Sequence, residues 1–520
     1  MPTDAHHMHN DSGHAEQSAA HPVLRQTGRG LLRSEFLVPA IVFLAQAIWL
    51  FDFSIDDASV SFRYAKHLAD GFGLRWNTSG PPVEGYSNFL WVLILALGRV
   101  VGFEIEFLAH ALGLLLGLVN LFILHRLSLR LWPAGKFTWA PVLLVAVCPV
   151  WVMWVMSGLE IAVFGFFLLL TMLGLAVSPR AKPWLLAVGL AGLALTRPEG
   201  IALAPIPLVA GWIADRREPL RARWRCYGVP MIVLVGISAA LLTFRLVYFG
   251  YPLANTVYAK FSMTMPSAAE VRKWLVFALP FLTAWLFAAR YRALLPYPAV
   301  LAAGLGLVVW QMVLVLPVKP VMFFLHRYHI AFLPLLALVV PFVLARVAQK
   351  KKSAAVMLML ALVLWTAQGL PAVIKRRQSE QYAIQRQRCV VESLLSLPGT
   401  VTVALIDAGR IPYWSELPAS DIWGLCDAEI AHRGFTYEST LGRNPDVYVM
   451  SLNITNGEVY PRLGFDIMVS GNPTFQQKFR LWRICAGTPP TIEWYYDYGI
   501  FINTEWAARQ GLIIQETSRP

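Results

Sequence analysis

Eleven apolar runs divide the first 373 residues of the chain, at 36–52, 107–125, 138–156, 160–177, 183–197, 200–214, 227–248, 273–289, 295–316, 321–346 and 354–373. Each is long enough, or nearly so, to cross the hydrocarbon core of a bilayer as a helix. That pattern belongs to a polytopic α-helical membrane protein, and composition agrees. The 520 residues are 57% hydrophobic and 14% charged, where soluble domains run near a quarter charged. A formal net charge of +13 raises the question of nucleic acid. The basic residues, however, sit in short runs between apolar segments rather than along one stripe. They orient the chain in a membrane, and no nucleic-acid partner is expected.

One further run, "NFLWVLILALGRVVG" (88–102), decides the threading. If it spans, His125, Arg126, Arg130 and Lys136 lie outside and every later loop inverts. If it lies in the interface as an amphipathic helix, "HRLSLRLWPAGK" (125–136) is cytoplasmic, as are "SPRAKP" (178–183), "DRREPLRARWR" (215–225), "ARYR" (289–292) and "ARVAQKKKS" (345–353). The second threading obeys the positive-inside rule. It predicts a disordered, His-rich cytoplasmic tail over 1–35, a membrane domain over 36–373 with a long first outer loop (53–106), and an outer domain over 374–520. The tail carries His6, His7, His9 and His14 without regular ligand spacing, so no metal is expected there. Short strands, turns and amphipathic stretches follow residue 374, the signature of an α/β domain. Cys389, Cys426 and Cys485 fall in it, where an extracytoplasmic setting permits one disulfide.

The outer face collects polar residues from six places. They are "SIDDASVSFRYAKHLADGFGLRWNTSGPPVEGYSN" (54–88), "SGLE" (157–160), "TRPEG" (196–200), "YFGYPLANTVYAKFS" (248–262), "LPVKP" (316–320) and "HRY" (326–328). Ionisable residues at membrane depth cost several kcal/mol unless paired or hydrated, so such a cluster is a functional candidate. Asp56 and Asp57 offer a general base and a neighbour that tunes or positions. Arg63 is either their ion-pair partner or a ligand for an anion. Glu160 opens a helix and suits its dipole; Arg197 and Glu199 flank Pro198 and can pair with each other. Lys260 and Arg327 have no acid within four residues, and two outer cations point to an anionic ligand such as a lipid phosphate. No Walker motif, dinucleotide fingerprint or His-Glu-x-x-His occurs.

The first-loop stretches "DDASVSFRYAKHLADGFGLRWN" and "VEGYSNFLW" resemble the polyprenyl-phosphate-dependent glycosyltransferases of the GT-C fold. Within these they resemble the mycobacterial terminal arabinofuranosyltransferases and their bacterial relatives. "SGLE", "TRPEG", "YPLANTVYAK" and "HRY" match in that order. So does "ALIDAGRIPYWSELPASDIWGLCDAEIAH" with the later "NPDVYVM", which resembles the family's extracytoplasmic cap domain. The likeness covers about residues 36 to 450; the tail beyond and the His-rich N-terminus match nothing in the family.

The resemblance implies about eleven transmembrane helices, interfacial helices in the first outer loop, and a catalytic aspartate there. The donor is expected to be a polyprenyl-phospho-sugar, with arabinofuranose the best match. The acceptor is a glycan, glycolipid or glycoprotein of the envelope, and the site faces the periplasm from the bacterial inner (plasma) membrane. Between the two carboxylates the reading favours Asp56 as the base, with Asp57 orienting the acceptor or pairing with Arg63. The donor phosphate falls to Lys260, Arg327, His326 and Arg63; sugar and acceptor fall to Glu160, Arg197, Glu84, Tyr86, Asn255 and Tyr258. No cofactor is required, although the paired acids can hold a divalent cation. The alternatives are another lipid-linked sugar such as mannose, a lipid-phosphate flippase, or an envelope scaffold. A flippase is less favoured because no internal repeat is visible.

Overall fold

In the computed structural model, residues 34–133, 135–177, 182–260, 268–291, 297–319, 324–455, 458–487 and 496–514 are described. The four tail histidines, and most of the loop 178–183, lie outside them.

Every expected apolar run holds helix. Among the described residues five helices are long and apolar enough to cross a membrane, including Ile105–Leu131 and Leu220–Tyr248, and six more apolar helices are shorter. The chain is therefore a multi-pass membrane protein. Prolines set where several helices break. The run 138–156 divides into Ala140–Ala146 and Pro149–Val155, with Pro149 at the first helical position. Pro198 likewise opens Pro198–Leu203 straight after Lys182–Thr196. Proline cannot continue a helix but is pre-set to begin one, so each break falls just before it. The helix Phe89–Val100 has 12 residues, so at 1.5 Å per residue it is about 18 Å long, well short of the hydrocarbon core.

The expected boundary at 373/374 falls inside a helix. Lys352–Ala367 is followed, after two residues, by Leu370–Leu395, which passes the boundary and ends under the outer domain. That domain carries a six-stranded mixed sheet built from β1 (Val403–Leu405), β2 (Ala419–Asp421), β3 (Val447–Thr455), β4 (Glu458–Pro461), β5 (Phe479–Cys485) and β6 (Asp497–Asn503). Its order is β2-β1-β3-β6-β5, with β4 paired to β3. β1 runs parallel to β2 and β3, and the other pairings are antiparallel.

Side chains alternate across the sheet as the pleat requires. Val403, Leu405, Val447 and Val449 join the core of the membrane helices, whereas Ala404, Tyr448 and Met450 join a separate outer core. One apolar core thus runs from the bundle into the inner face of the sheet. Cys389 and Cys485 form a disulfide that ties Leu370–Leu395 to β5, and Cys426 is a free, buried thiol.

Candidate active site

The helix Asp56–Ala69 places both carboxylates in its first turn, where the exposed amides and the dipole favour negative charge. Consecutive helical residues point about 100° apart, and here that angle separates two environments.

Asp57 turns into a cavity of about 270 Å³. Its walls come from the ends of separate elements at one end of the bundle. Asp57, Ser61 and Asn88 belong to the first loop, Glu160 to the turn after Pro149–Val155, and Arg197 and Glu199 to the break at Pro198. Lys260 closes the short helix Asn255–Lys260, and Arg327 follows the turn Phe324–His326. Leu325 and His326 have positive φ of 47° and 59°, a conformation uncommon for residues with a Cβ. The backbone carbonyl of Leu325 accepts from the Trp154 indole at 2.8 Å, which pins this turn and aims Arg327 at the cavity.

Arg327 pairs with Asp57 at 2.7 Å. Burial works to raise the Asp57 carboxyl, but the charges of Arg327 and then Lys260 prevail and hold it down at about 2. Deeper in, a polar chain runs from Ser61 to Asn88 (3.0 Å), from Asn88 to Glu160 (2.8 Å), and on to Arg197 (2.7 Å), which also holds Glu199 at 2.6 Å. Glu160 therefore caps nothing with its side chain; it is one arm of this network. Leu425 of the outer domain also lines the cavity, so cap and bundle enclose it jointly.

Asp56 turns the other way, into the seam under the cap. Its Oδ1 accepts from the Arg410 amide at 2.9 Å and from Gln387 Nε2 at 3.1 Å. A side chain at Gly409 would collide with Asp56, so only glycine admits this approach. Arg410 is 1% exposed and donates to Glu380 (2.9 Å), Gln387 (3.1 Å) and the Ser54 carbonyl (2.5 Å). Asp407 stands nearby, held by the Tyr496 and Tyr498 hydroxyls. Burial, then the Asp407 charge, pushes Asp56 up to about 7 against the pull of Arg410. Asp407 is also raised, first by burial.

Several expected site residues lie elsewhere. Arg63 meets neither carboxylate nor the cavity. It stacks by Trp76 and donates to the carbonyls of Trp76, Pro412 and Leu417, fastening the first loop to the cap. A buried guanidinium needs several acceptors at once, and the carbonyls at a helix end supply them. His326 packs its ring on Phe277, centroids 5.0 Å apart, rather than on the cavity wall. Glu84 forms a buried bidentate pair with Arg245 at 2.8 and 3.0 Å. Asn255 donates to the Gly424 and Leu425 carbonyls at 2.8 and 2.9 Å, and the Tyr258 ring packs against His432, tilted by 40° with centroids 4.2 Å apart. These three join bundle to bundle or bundle to cap. Tyr86 does line the cavity. Sequence reasoning missed Ser61, Asn88 and Tyr328 on the wall, and Gln387 and Arg410 in the seam. Asn88 alone carried a signal, as the polar residue opening an apolar helix. Among the described residues no three His, Cys, Asp or Glu side chains gather to hold a metal ion.

The arrangement is a half-open cavity with two cations and a carboxylate at one end and a hydrogen-bonded acid network at the other. It suits an anionic group beside a polar, hydroxyl-bearing one. The fold is that of the GT-C glycosyltransferases. The crystal structure of ArnT from Cupriavidus metallidurans bound to undecaprenyl phosphate superposes with a TM-score of 0.58 at 14% identity, covering 90% of this chain and 98% of that one. Its apo state gives 0.56 at 13% identity, covering 88% and 97%. The cryo-EM structure of the arabinofuranosyltransferase AftD from mycobacteria gives 0.52 at 14% identity and covers 90% of this chain; the chain spans 40% of that protein's length. Residues 373–499 match a family described as a domain of unknown function (DUF8728). No curated protein matches the chain by sequence.

Proposed function

We propose that the chain is an inverting GT-C glycosyltransferase that takes a sugar from a polyprenyl-phosphate carrier and places it on an acceptor of the cell envelope. The observation that supports this reading is the meeting of Lys260, Arg327 and Asp57 on the lining of one cavity at one end of a membrane bundle. Two cations hold the lipid phosphate and stabilise its charge as it departs. Asp57, rather than Asp56, is the base, because it alone of the two reaches the cavity. The network through Asn88, Glu160, Arg197 and Glu199 faces the sugar, since hydroxyls are read by buried, fixed polar groups.

Arabinofuranose is the best candidate sugar, on the likeness of the first loop to terminal arabinofuranosyltransferases; mannose on the same carrier is the runner-up. The acceptor is a glycan, glycolipid or glycoprotein. The protein lies in the bacterial inner (plasma) membrane with about eleven spans and with cavity and cap on the periplasmic side. Phe89–Val100 lies in the interface. No metal is required. The deciding assay gives purified protein a panel of polyprenyl-phospho-sugars with acceptor oligosaccharides. Transfer from one lipid-linked sugar, with release of polyprenyl phosphate, is expected; no transfer from any of them removes the reading. Orientation has its own check: a cysteine at the exposed Ser79 should react with an impermeant thiol reagent in intact cells.

A further inference from the structure

Paired with Arg327, Asp57 is a poor proton acceptor. The carboxylate is 29% exposed while its Oδ2 is buried against the guanidinium at 2.7 Å. The exposed remainder fronts the cavity, with Lys260 on the same wall. A phosphate entering there needs the same two cations that Asp57 already engages. Like charges that share a counter-ion compete for it. We propose that the donor phosphate takes Arg327 from Asp57, so that Asp57 changes from counter-ion to proton acceptor only once the donor is in place. This rests on the reading of the cavity as a lipid-phosphate site.

Charge neutrality argues the same way. Asp57, Arg327 and Lys260 together carry one net positive charge. The phosphodiester of a polyprenyl-phospho-sugar brings one negative charge and makes the group neutral; transfer leaves a phosphate monoester with a second negative charge, and the acceptor's proton on Asp57 keeps the group neutral. The other charges near Asp57 are Asp56 beside it, Arg376 at longer range, and Glu160, Arg197 and Glu199 on the cavity lining. Glu160 is already committed to Arg197 and Asn88, so it is no competing partner. With Arg327 turned to the phosphate, the burial that already works to raise Asp57 is opposed less. The carboxylate then takes the proton of the acceptor hydroxyl. The acceptor oxygen forms its bond to the anomeric carbon as the bond from that carbon to the phosphate oxygen breaks. The electron pair leaves with the phosphate, onto Lys260 and Arg327. When polyprenyl phosphate departs, Arg327 returns to Asp57 and the proton is released to solvent. The exchange withholds the base from water until a donor is bound.

The test uses the full-length protein in lipid nanodiscs and polyprenyl phosphate without a sugar. Infrared difference spectra on adding it should show a new carboxylic-acid band in the wild type, absent in Asp57→Asn. The same variant should bind polyprenyl phosphate tighter, by about tenfold or more, since a neighbouring like charge has been removed. A purely structural ion pair makes the opposite prediction, because losing Asp57 would loosen Arg327 and weaken binding. Weaker binding by Asp57→Asn, with an unchanged melting temperature, overturns the proposal. Should the variant not fold, the wild type decides alone: saturation without an acid band overturns it. If polyprenyl phosphate does not bind at all, the lipid-phosphate reading itself fails and takes this inference with it.

Discussion

Asp56 and Asp57 are neighbours in one helical turn, and each sits beside a buried arginine. Their surroundings differ in one respect. Around Asp56 nearly all donors and acceptors are matched across the seam: Arg410 has Glu380, Gln387 and Ser54, with its Nε alone left over, and Gln387 bridges Asp56 to Tyr498. Around Asp57 a single ion pair faces open volume, with Lys260 on the same wall. A network closed on itself holds two domains together; the same chemistry left open leaves charge for a ligand. Residue type cannot separate the two, because both contain an aspartate and an arginine. Completeness of hydrogen bonding separates them.

The widest gap should appear in turnover. Asp57→Asn keeps the shape but cannot take a proton, so transfer in the panel assay should fall by roughly 10²–10⁴. Asp56→Asn should keep most of its activity, because an amide oxygen still accepts from the Arg410 amide. Equal losses in both variants, at equal melting temperatures, would break the comparison. The reverse order would return the base to Asp56.

Stability should divide the two arginines the other way. Arg410→Met leaves the buried Glu380 to Arg376 alone and takes a donor from Gln387 and from the Ser54 carbonyl, at a cost of about 1–3 kcal/mol. Urea or thermal unfolding should show that loss, with the cap domain loosened first. Arg327→Met and Lys260→Met should instead weaken donor binding and slow transfer, each by about 1.5–3 kcal/mol, the worth of a charge-assisted contact. Donor titration and kcat/KM would check both. Normal kinetics in both cavity variants would mean that these cations only snorkel to the membrane surface.

Much of this was readable in the chain because it follows from local pattern. Apolar runs give helices, prolines give their breaks, and the basic loops flag Phe89–Val100 as too short to span. The continuous "VYVM" of β3 and the turn-rich stretches around it give a strand-bearing cap. What pairs with what was not readable, since pairing is set by tertiary approach. Glu84 meets Arg245 across 161 residues of sequence. Arg327 has no acid near it in the chain, yet it finds Asp57 once the bundle closes. Arg63 looked like a partner for Asp57 because it lies less than two helical turns away. The fold gives it carbonyls from the cap instead, which no count along the first loop reveals.

The smallest effect is one of pH, and it belongs to the seam. Asp56 stands at about 7 in the folded protein, above the value near 3.9 of an exposed aspartate in an unfolded chain. A raised carboxyl binds its proton better folded than unfolded. Its contribution to stability is therefore full below about pH 4, declines as pH rises toward 7, and is gone above it. Ionising Asp56 beside Asp407 adds like-charge repulsion under the cap, with Arg410 only partly offsetting it. The wild-type melting temperature should therefore fall between pH 5 and 8 more steeply than that of Asp56→Asn, whose neutral amide has no proton to lose. Asp57→Asn should change this slope only slightly, since Asp57 is held ionised by Arg327 over the whole range and its charge is the least of the causes raising Asp56. Melting curves of the three proteins in one detergent, across that interval, give the comparison directly. If the slope flattens in Asp57→Asn and persists in Asp56→Asn, the titrating proton lies in the cavity and the roles of the two regions are exchanged.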